Sequence, residues 1–311
     1  MRAAAPAAAR ATVRAAVRAT LAGAVIAVAG AMALPAAGQD PPAADPSSDD
    51  PVARGAYVFA AAGCLGCHTD VKGGGTLLAG GRALETPFGT FHSPNITPHP
   101  QHGIGAWSEA DFVRAFRDGR RPDGDALFPA FPYGSYTGMT ERDLLDLRAY
   151  LFSLPAADTP NRPHDLDPPF GWRFLLPVWQ WLYLERGPLA DDPSQPPEWN
   201  RGRYLVDVLG HCGECHTPRS RLGGLDRDAH MAGNRAGPEG EAVPNISPNP
   251  ERGIGAWSIG DIELFLEIGM MPDGDFAGGS MGEVITNSTS KLTAEDRRAI
   301  AVYLKSLPPQ P

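Results

Sequence analysis

The sequence predicts an all-α protein that contains two copies of one domain, and three observations support this prediction. No segment alternates between apolar and polar residues over the length of a half-buried strand. Four segments begin with Ser or Thr followed three residues later by Asp, as helix N-termini do, and continue with apolar residues at helical spacing. Long motifs also recur at a constant offset of 150 residues, which is the length of a whole domain rather than of a solenoid repeat.

The duplicated motifs set the predicted domain boundaries. They are residues 94–98 (PNITP) and 244–248 (PNISP), residues 103–108 and 253–258 (both GIGAWS), and residues 122–125 and 272–275 (both PDGD). We expect the first domain at residues 54–155 and the second at residues 200–308. Residues 156–199 form a Pro- and Asp-rich connector between them, and residues 39–53 have the composition of a disordered linker.

Helix boundaries can be predicted from capping residues. The predicted N-caps are Ser108, Thr140, Ser258 and Thr293, each with an Asp three residues later. In such a capping box, the hydroxyl and the carboxylate satisfy backbone N–H groups that have no partner within the helix. The last helix of each copy should end at Leu154-Pro155 or Leu307-Pro308, because proline cannot continue a helix.

All four cysteines of the chain lie in two C-x-x-C-H sequences, Cys64–His68 and Cys212–His216. This pattern is typical of covalent c-type haem attachment. The two thiols add to the two vinyl groups of one haem, and the histidine is placed beneath the iron as its proximal ligand. The sequence therefore predicts two covalently bound haem c groups. The predicted attachment residues are Cys64, Cys67, Cys212 and Cys215, and the predicted proximal ligands are His68 and His216.

Three other uses of the cysteines compete with haem attachment. A thioredoxin-like redox motif would require a βαβ pattern nearby, and none is visible. A zinc site would require closer pairs than these, which are 148 residues apart. Disulfides are compatible with an exported chain, although C-x-x-C spacing makes a poor structural bridge.

The N-terminus has the organisation of a secretory signal peptide over residues 1–38. Its first 18 residues contain four arginines and no acidic residue, and the apolar run from Ala19 to Leu34 ends at Pro35-Ala36-Ala37-Gly38. The alternative is an uncleaved membrane anchor, since the run is near the lower length limit for a spanning helix. Cleavage near Ala37 or Gly38 is the preferred interpretation, and it predicts a periplasmic protein.

The charge of the chain limits its partners. The full sequence has 27 basic and 36 acidic residues, a net charge of −9. Removal of the signal would leave 23 basic residues against the same 36 acidic ones, a net charge of −13. An acidic surface argues against binding to nucleic acid and favours a basic or dipolar redox partner.

The connector contains a cluster of aromatic residues between Phe170 and Leu184. Its apolar length is too short to cross a bilayer. The cluster could bind a membrane surface or a partner protein. The preferred interpretation is that it is buried between the two haem domains.

Beyond these patterns, the sequence resembles known c-type cytochromes. Capped helices, C-x-x-C-H near the start and a last helix ending in Tyr-Leu-x-Ser-Leu-Pro resemble class I cytochrome c. Residues 54–308 more closely resemble the cytochrome c subunits of membrane-bound periplasmic alcohol, gluconate and aldehyde dehydrogenases. The motifs that carry this resemblance are PNI(T/S) at 94–97 and 244–247, GIGAWS at 103–108 and 253–258, EWNRG at 198–202, GHC at 210–212, GSMGEV at 279–284 and NST at 287–289.

The resemblance implies a fold and a function. Each copy should be a class I cytochrome c-like domain whose first and last helices cross at a glycine and an aromatic residue, namely Gly55 with Tyr150 and Gly202 with Tyr303. The chain should carry electrons from a periplasmic dehydrogenase subunit to a downstream acceptor of the respiratory chain, with peripheral association to the inner membrane. The alternative is a dihaem enzyme of the peroxidase or thiosulfate dehydrogenase type, in which one haem binds substrate.

The resemblance also suggests the remaining ligand positions. A carbonyl or side chain in the loops at 94–95 and 244–245 should accept the second ring N–H of each proximal histidine. Met281 lies where a class I cytochrome presents its distal thioether. The first copy has Phe131 at the matching offset, and Met139 is its only methionine. Ligation by Met139 is the preferred interpretation, and a hydrophobic contact beside Thr140 is the alternative.

Overall fold

Helices form most of the regular structure in a computed structural model of the chain, which describes residues 44–237 and 240–311. The predicted signal peptide at residues 1–38 and the start of the predicted linker, residues 39–43, lie outside the described residues. In the described part, no helix combines the length and the apolar character that crossing a bilayer requires.

Residues 44–155 form five helices, with two short strands between the second and the third. The helices are α1 (Pro51–Ala61), α2 (Cys64–His68), α3 (Glu109–Asp118), α4 (Tyr133–Tyr136) and α5 (Glu141–Ser153). Helix α1 begins inside the predicted linker, because Asp50 caps it and Pro51 occupies its first turn. Residues 44–50 form turns, and Arg54 Nη1 donates to the carbonyl oxygens of Ser48 and Asp49.

The second half repeats this order after a helix in the connector. Its helices are α6 (Leu176–Tyr183), preceded by a 3₁₀ turn (Arg173–Leu175), then α7 (Pro197–Arg203), α8 (Gly213–His216), α9 (Ile259–Ile268), α10 (Gly279–Asn287) and α11 (Ala294–Ser306). Helix α7 continues as a π-helix over Tyr204–Leu209 and therefore leads directly into the second cysteine pair. The predicted ends of α5 and α11 are confirmed, since Leu154 and Leu307 are their C-caps.

The all-α prediction is wrong for one small region. Strands β1 (Ala83–Thr86), β2 (Gly89–His92) and β3 (Asp165–Leu166) form an antiparallel sheet in the order β1-β2-β3. Gly89 has φ +106°, and a Cβ there would lie 2.5 Å from the carbonyl oxygen of Asp165, so glycine allows β3 to approach. Strands of two to four residues are too short to show alternation, which is why the sequence did not reveal them.

The predicted helix crossings are confirmed in both halves. A Cβ added to Gly55 would lie 1.9 Å from the carbonyl oxygen of Asp146 and 2.8 Å from the Cβ of Tyr150. The equivalent atom on Gly202 would lie 2.0 Å from the carbonyl oxygen of Ala299 and 2.8 Å from the Cβ of Tyr303. Helices α1 and α5, and likewise α7 and α11, therefore approach each other more closely than a residue with a side chain permits.

The capping-box prediction is confirmed for two of the four helices. Ser108 and Ser258 each accept the backbone N–H of the Asp three residues later, and that Asp accepts the N–H of the serine. At Thr140 and Thr293 only the threonine side chain accepts such a bond. In both boxes, the backbone N–H of the threonine donates to a tyrosine from the other half of the chain instead of to the Asp.

These tyrosines act reciprocally. Tyr204, on the second half, accepts the N–H of Thr140 (3.0 Å) and donates its own proton to Asp143 (2.5 Å). Tyr57, on the first half, accepts the N–H of Thr293 (3.0 Å) and donates to Asp296 (2.7 Å). Burial, followed by the bond to Asp296, raises the pKa of Tyr57 to about 12, so the phenol remains a donor at neutral pH. The starts of α5 and α11 are thus each completed by the opposite half.

The connector differs from the preferred prediction that its aromatic residues are buried between the halves. Trp172, Phe174 and Trp181 are 50%, 72% and 80% exposed, so that prediction is wrong for them. For Trp181 the reason is geometric: α6 contacts both halves with Gln180 and Trp179, which leaves the opposite face of the helix towards solvent.

Candidate haem sites

The two C-x-x-C-H sequences fold into the same local structure. Cys64 and Cys67 lie on the single turn of α2, and Cys212 and Cys215 lie at the start and within the turn of α8. Both turns end with the histidine and pass into extended backbone at the next residue, Thr69 or Thr217. Each cysteine pair and its histidine are therefore presented by one short helical turn.

Each histidine has the same hydrogen-bond partner in the two halves. The Nδ1 atom of His68 lies 2.8 Å from the carbonyl oxygen of Pro94, and Nδ1 of His216 lies 2.8 Å from that of Pro244. Because a carbonyl can only accept, the proton resides on Nδ1, and Nε2 retains the lone pair that a metal needs. The prediction that loops 94–95 and 244–245 orient the histidines is confirmed.

The loops that supply these carbonyls are held against the histidine turns by matching contacts. Gly80 donates to the carbonyl oxygen of His68 (2.9 Å), and Gly233 donates to that of His216 (2.7 Å). Both glycines have positive φ, +74° and +87°. A Cβ on Gly80 would come within 2.5 Å of Pro94, so a larger residue would push the orienting carbonyl away.

The protonation states of the site fit haem attachment. Burial lowers the pKa of His68 and of His216, which favours the neutral imidazole that binds iron. Burial raises the pKa of Cys64 and Cys212 to about 12, so both are neutral thiols. The C-x-x-C-H donor set, with free thiols and an oriented Nε2, therefore suits a covalently attached haem.

The competing uses of the cysteines receive no support from the geometry. All four cysteines are free thiols rather than paired in disulfides. Within residues 44–237 and 240–311, no three His, Cys, Asp or Glu side chains converge as a zinc site would require.

The two histidine turns lie near each other across the contact between the halves. Tyr136 lies between the turns. Its hydroxyl donates to the carbonyl oxygen of Ala62 (2.8 Å), just before Cys64, and its ring stacks edge-on against His211, 5.3 Å away.

Each half also covers the histidine turn of the other half. From the first half, Ser135 Oγ lies 3.2 Å from Oε1 of Glu214, in the second turn.

From the second half, Ser288 Oγ donates to the carbonyl oxygen of Ala61, and Glu283 forms an ion pair with Arg82 at 2.7 Å. Arg82 in turn donates to the carbonyl oxygen of Gly66 in the first turn. Helix α10, which carries Met281, therefore also lies next to the first histidine turn.

The two predicted distal methionines lie in different surroundings. Met139 is completely buried between α4 and α5, while Met281 lies on the first turn of α10 and is half-buried. Phe131, which replaces the earlier methionine position in the first half, packs edge-on against Phe116 at 5.0 Å. Ligation by Met139 and Met281 remains a prediction.

Sequence reasoning missed the residues that join the halves. Tyr57 and Tyr204 occupy matched positions in the segments RGAY and RGRY, so the repeat could have indicated a shared role. For Tyr136 no such signal exists, because the residue at the 150-residue offset is Thr286.

The haem content of the chain can be measured directly. We expect the intact mass of denatured holoprotein to exceed the mass of the polypeptide by two haem groups, because two complete attachment sites exist. Replacing both Cys212 and Cys215 with serine should reduce the gain to one haem. Mass spectrometry that found one haem in the unaltered chain, or no loss in this variant, would contradict the assignment.

Comparison with known proteins supports the assignment of the two C-x-x-C-H turns as haem sites. Residues 52–155 match the cytochrome c family model. The chain is 47% identical over 264 residues to a dihaem c-type cytochrome of Cereibacter sphaeroides, covering 82% of this chain and 85% of that protein. It is 40% identical over 259 residues to the fructose dehydrogenase cytochrome subunit of Gluconobacter japonicus, covering 83% of this chain and 52% of that subunit.

A further relative is also named as the cytochrome subunit of a dehydrogenase. The chain is 39% identical over 272 residues to the gluconate 2-dehydrogenase cytochrome c subunit of Pantoea cypripedii, covering 85% of this chain and 61% of that subunit. The chain thus spans only about half of the length of these dehydrogenase subunits. With two C-x-x-C-H turns that carry covalent haem c and this level of identity, the chain belongs to the family of dihaem c-type cytochromes.

Proposed function

We propose that the chain is an exported, periplasmic electron carrier that accepts electrons from a dehydrogenase and passes them towards the respiratory chain. The observation that carries this proposal is the placement of both histidine turns at the contact between the halves, joined by Tyr136. A carrier that receives an electron at one haem and releases it from the other needs the two haems close together. The relatives named as dehydrogenase cytochrome subunits agree with this role.

Under this proposal, each half is one cytochrome c-like domain, at residues 54–155 and 200–308. Cys64 and Cys67, and likewise Cys212 and Cys215, attach one haem each. Bound haem supplies one-electron redox chemistry between ferric and ferrous iron. The ligands are His68 with Met139 in the first domain and His216 with Met281 in the second.

The protein itself contributes orientation and electrostatics. The Pro94 and Pro244 carbonyls fix the tautomer of each histidine and increase its electron donation to the metal. The net charge of −13 that remains after removal of the predicted signal (23 basic against 36 acidic residues) should attract a basic partner surface, and peripheral association with the membrane would then follow from the partner.

Stopped-flow reduction tests this function. Oxidised holoprotein is mixed with the catalytic subunits of alcohol, fructose or gluconate dehydrogenases, each prepared without its own cytochrome subunit and supplied with its substrate. We expect at least one of them to reduce both haems, with a rate that falls as salt is added, because salt screens charges beyond about 10 Å at 0.1 M. Reduction by dithionite but by none of the dehydrogenases would contradict the proposal.

A further inference from the structure

An exposed apolar surface lies on the connector between the halves. This surface, called the aromatic face below, consists of Trp172, Phe174, Leu175, Val178, Trp181 and Leu182. Trp181 and Leu182 follow Val178 by three and four positions, so these residues share one side of α6. Its three exposed aromatic rings alone present on the order of 400 Å². That area already matches the largest apolar patch of a typical monomer, and such patches usually mark interaction sites.

The opposite side of α6 is firmly attached to the rest of the protein. Gln180 is buried and donates to the carbonyl oxygens of Asp118 (3.1 Å) and Gly119 (3.2 Å) in the first half. Trp179 Nε1 donates to the carbonyl oxygen of Leu222 in the second half (2.8 Å). Because the inner side of the helix is bound to both halves of the chain, the aromatic face is a fixed surface rather than a loose loop.

A groove leads from the aromatic face to the second haem turn. It has a volume of ≈ 530 Å³. Trp181 and Leu182 line one wall, and Glu214 and Arg219 line another. Glu214 lies between the two cysteines of the second attachment sequence. A molecule seated on the aromatic face would therefore lie beside the covalent attachment point of the second haem.

The groove has an acidic rim. Its charged lining consists of four carboxylates and two arginines: Glu185, Glu214, Asp226, Asp228, Arg219 and Arg227. Arg219 pairs with Glu214, and Arg227 pairs with Glu185. Asp226 and Asp228 are exposed and form no ion pair within the described part of the chain. The negative charge that remains complements a basic partner and disfavours an anionic lipid surface.

We propose that the aromatic face and this groove dock the electron-donating subunit of a dehydrogenase, through an apolar patch on that subunit surrounded by Lys or Arg. Apolar contact on Trp181 and Phe174 supplies affinity, and Asp226 and Asp228 orient the donor over the second haem turn. Electron transfer then enters at the second haem, since transfer rates fall steeply with distance. This inference rests on the proposed function and names the surface that serves it.

The test uses the full-length holoprotein carrying both Trp181→Ser and Phe174→Ser. Both side chains are largely exposed, so the fold should be retained. The control is Phe276→Ser, which alters a 56% exposed aromatic residue outside the aromatic face and the groove. The probe is the dehydrogenase catalytic subunit that reduces the unaltered chain. We expect the second-order rate constant to fall about tenfold or more in the double variant and to stay unchanged in the control.

A charge variant and a chemical reductant complete the design. Asp226→Asn with Asp228→Asn should weaken the dependence of the rate on salt, because it removes the acidic rim. Reduction by dithionite should be equal in all variants, which shows that the haems are intact. A double variant reduced by the dehydrogenase as fast as the unaltered chain would overturn the docking proposal and leave the proposed function standing.

The remaining outcomes are equally decisive. If no dehydrogenase reduces the unaltered chain, the proposed function fails and the docking proposal fails with it. Sedimentation with vesicles of phosphatidylethanolamine and phosphatidylglycerol distinguishes a membrane occupant. Binding of the unaltered chain that is lost in the Trp181→Ser, Phe174→Ser variant would assign the aromatic face to the lipid surface and overturn docking of a protein.

Discussion

Replacing Gly202 in α7 with alanine is expected to cause a large loss of stability. The new Cβ would lie 2.0 Å from the carbonyl oxygen of Ala299, a distance that no rotamer change can relieve because both atoms belong to the helix frameworks. Helices α7 and α11 must then move apart. We expect the free energy of unfolding to fall by about 3 kcal/mol or more, read as a lower thermal midpoint of the holoprotein.

Gly260→Ala is the matched control. Gly260 is also helical, but the nearest atom to its added Cβ would be Ser258 Oγ at 3.8 Å. Alanine should therefore be neutral there or stabilise the helix by up to about 1 kcal/mol. Equal thermal midpoints for the Gly202 and Gly260 variants would refute the close crossing of α7 and α11.

Replacing Met281 with leucine is expected to remove the long-wavelength methionine-to-iron absorption band of one haem and to lower the reduction potential of that haem. The reason is that a thioether ligand raises the potential of a His-ligated iron, and leucine cannot ligate. Met139→Leu should have the same effect on the other haem. Leucine is chosen because Met139 is completely buried, and alanine would add the cost of a cavity.

Met231→Leu is the control for both methionine variants. Met231 is as buried as Met139, and its backbone accepts the N–H of Ile246 in the way that Leu78 accepts the N–H of Ile96 in the first half. Leucine should therefore be accommodated at Met231 without a spectral change. If Met139→Leu preserves both bands, the first haem has another ligand or an open position, and the alternative of a dihaem enzyme gains support.

The local features of this protein were predicted well from residues close together in the chain, and some contacts between distant residues were predicted from the resemblance to class I cytochrome c. C-x-x-C-H specified both histidine turns. The resemblance correctly implied that the loops at 94–95 and 244–245 hold the hydrogen-bond partners of His68 and His216. Gly55 and Gly202 were correctly paired with their aromatic residues across the helix crossings.

Features that depend on contacts between the halves could not be predicted in this way. The boxes at Thr140 and Thr293 satisfied the sequence pattern, yet a tyrosine far along the chain competes successfully for the same backbone N–H. The aromatic residues of α6 have a core-like composition, and only the three-dimensional path of the connector determines which of them face solvent. The sequence shows that a residue is apolar, but it does not show whether another part of the chain buries that residue.

The exchange of caps between Tyr57 and Tyr204 has a consequence for the history of a duplicated chain. A copy that begins as an independent unit can normally be lost, replaced or transferred to another gene. Here, removal of either copy would leave the N–H of Thr140 or Thr293 without its tyrosine acceptor, and Asp143 or Asp296 without its tyrosine donor. A substitution at one tyrosine therefore changes the start of a helix in the opposite copy, so we expect a change in either copy to affect the stability of both.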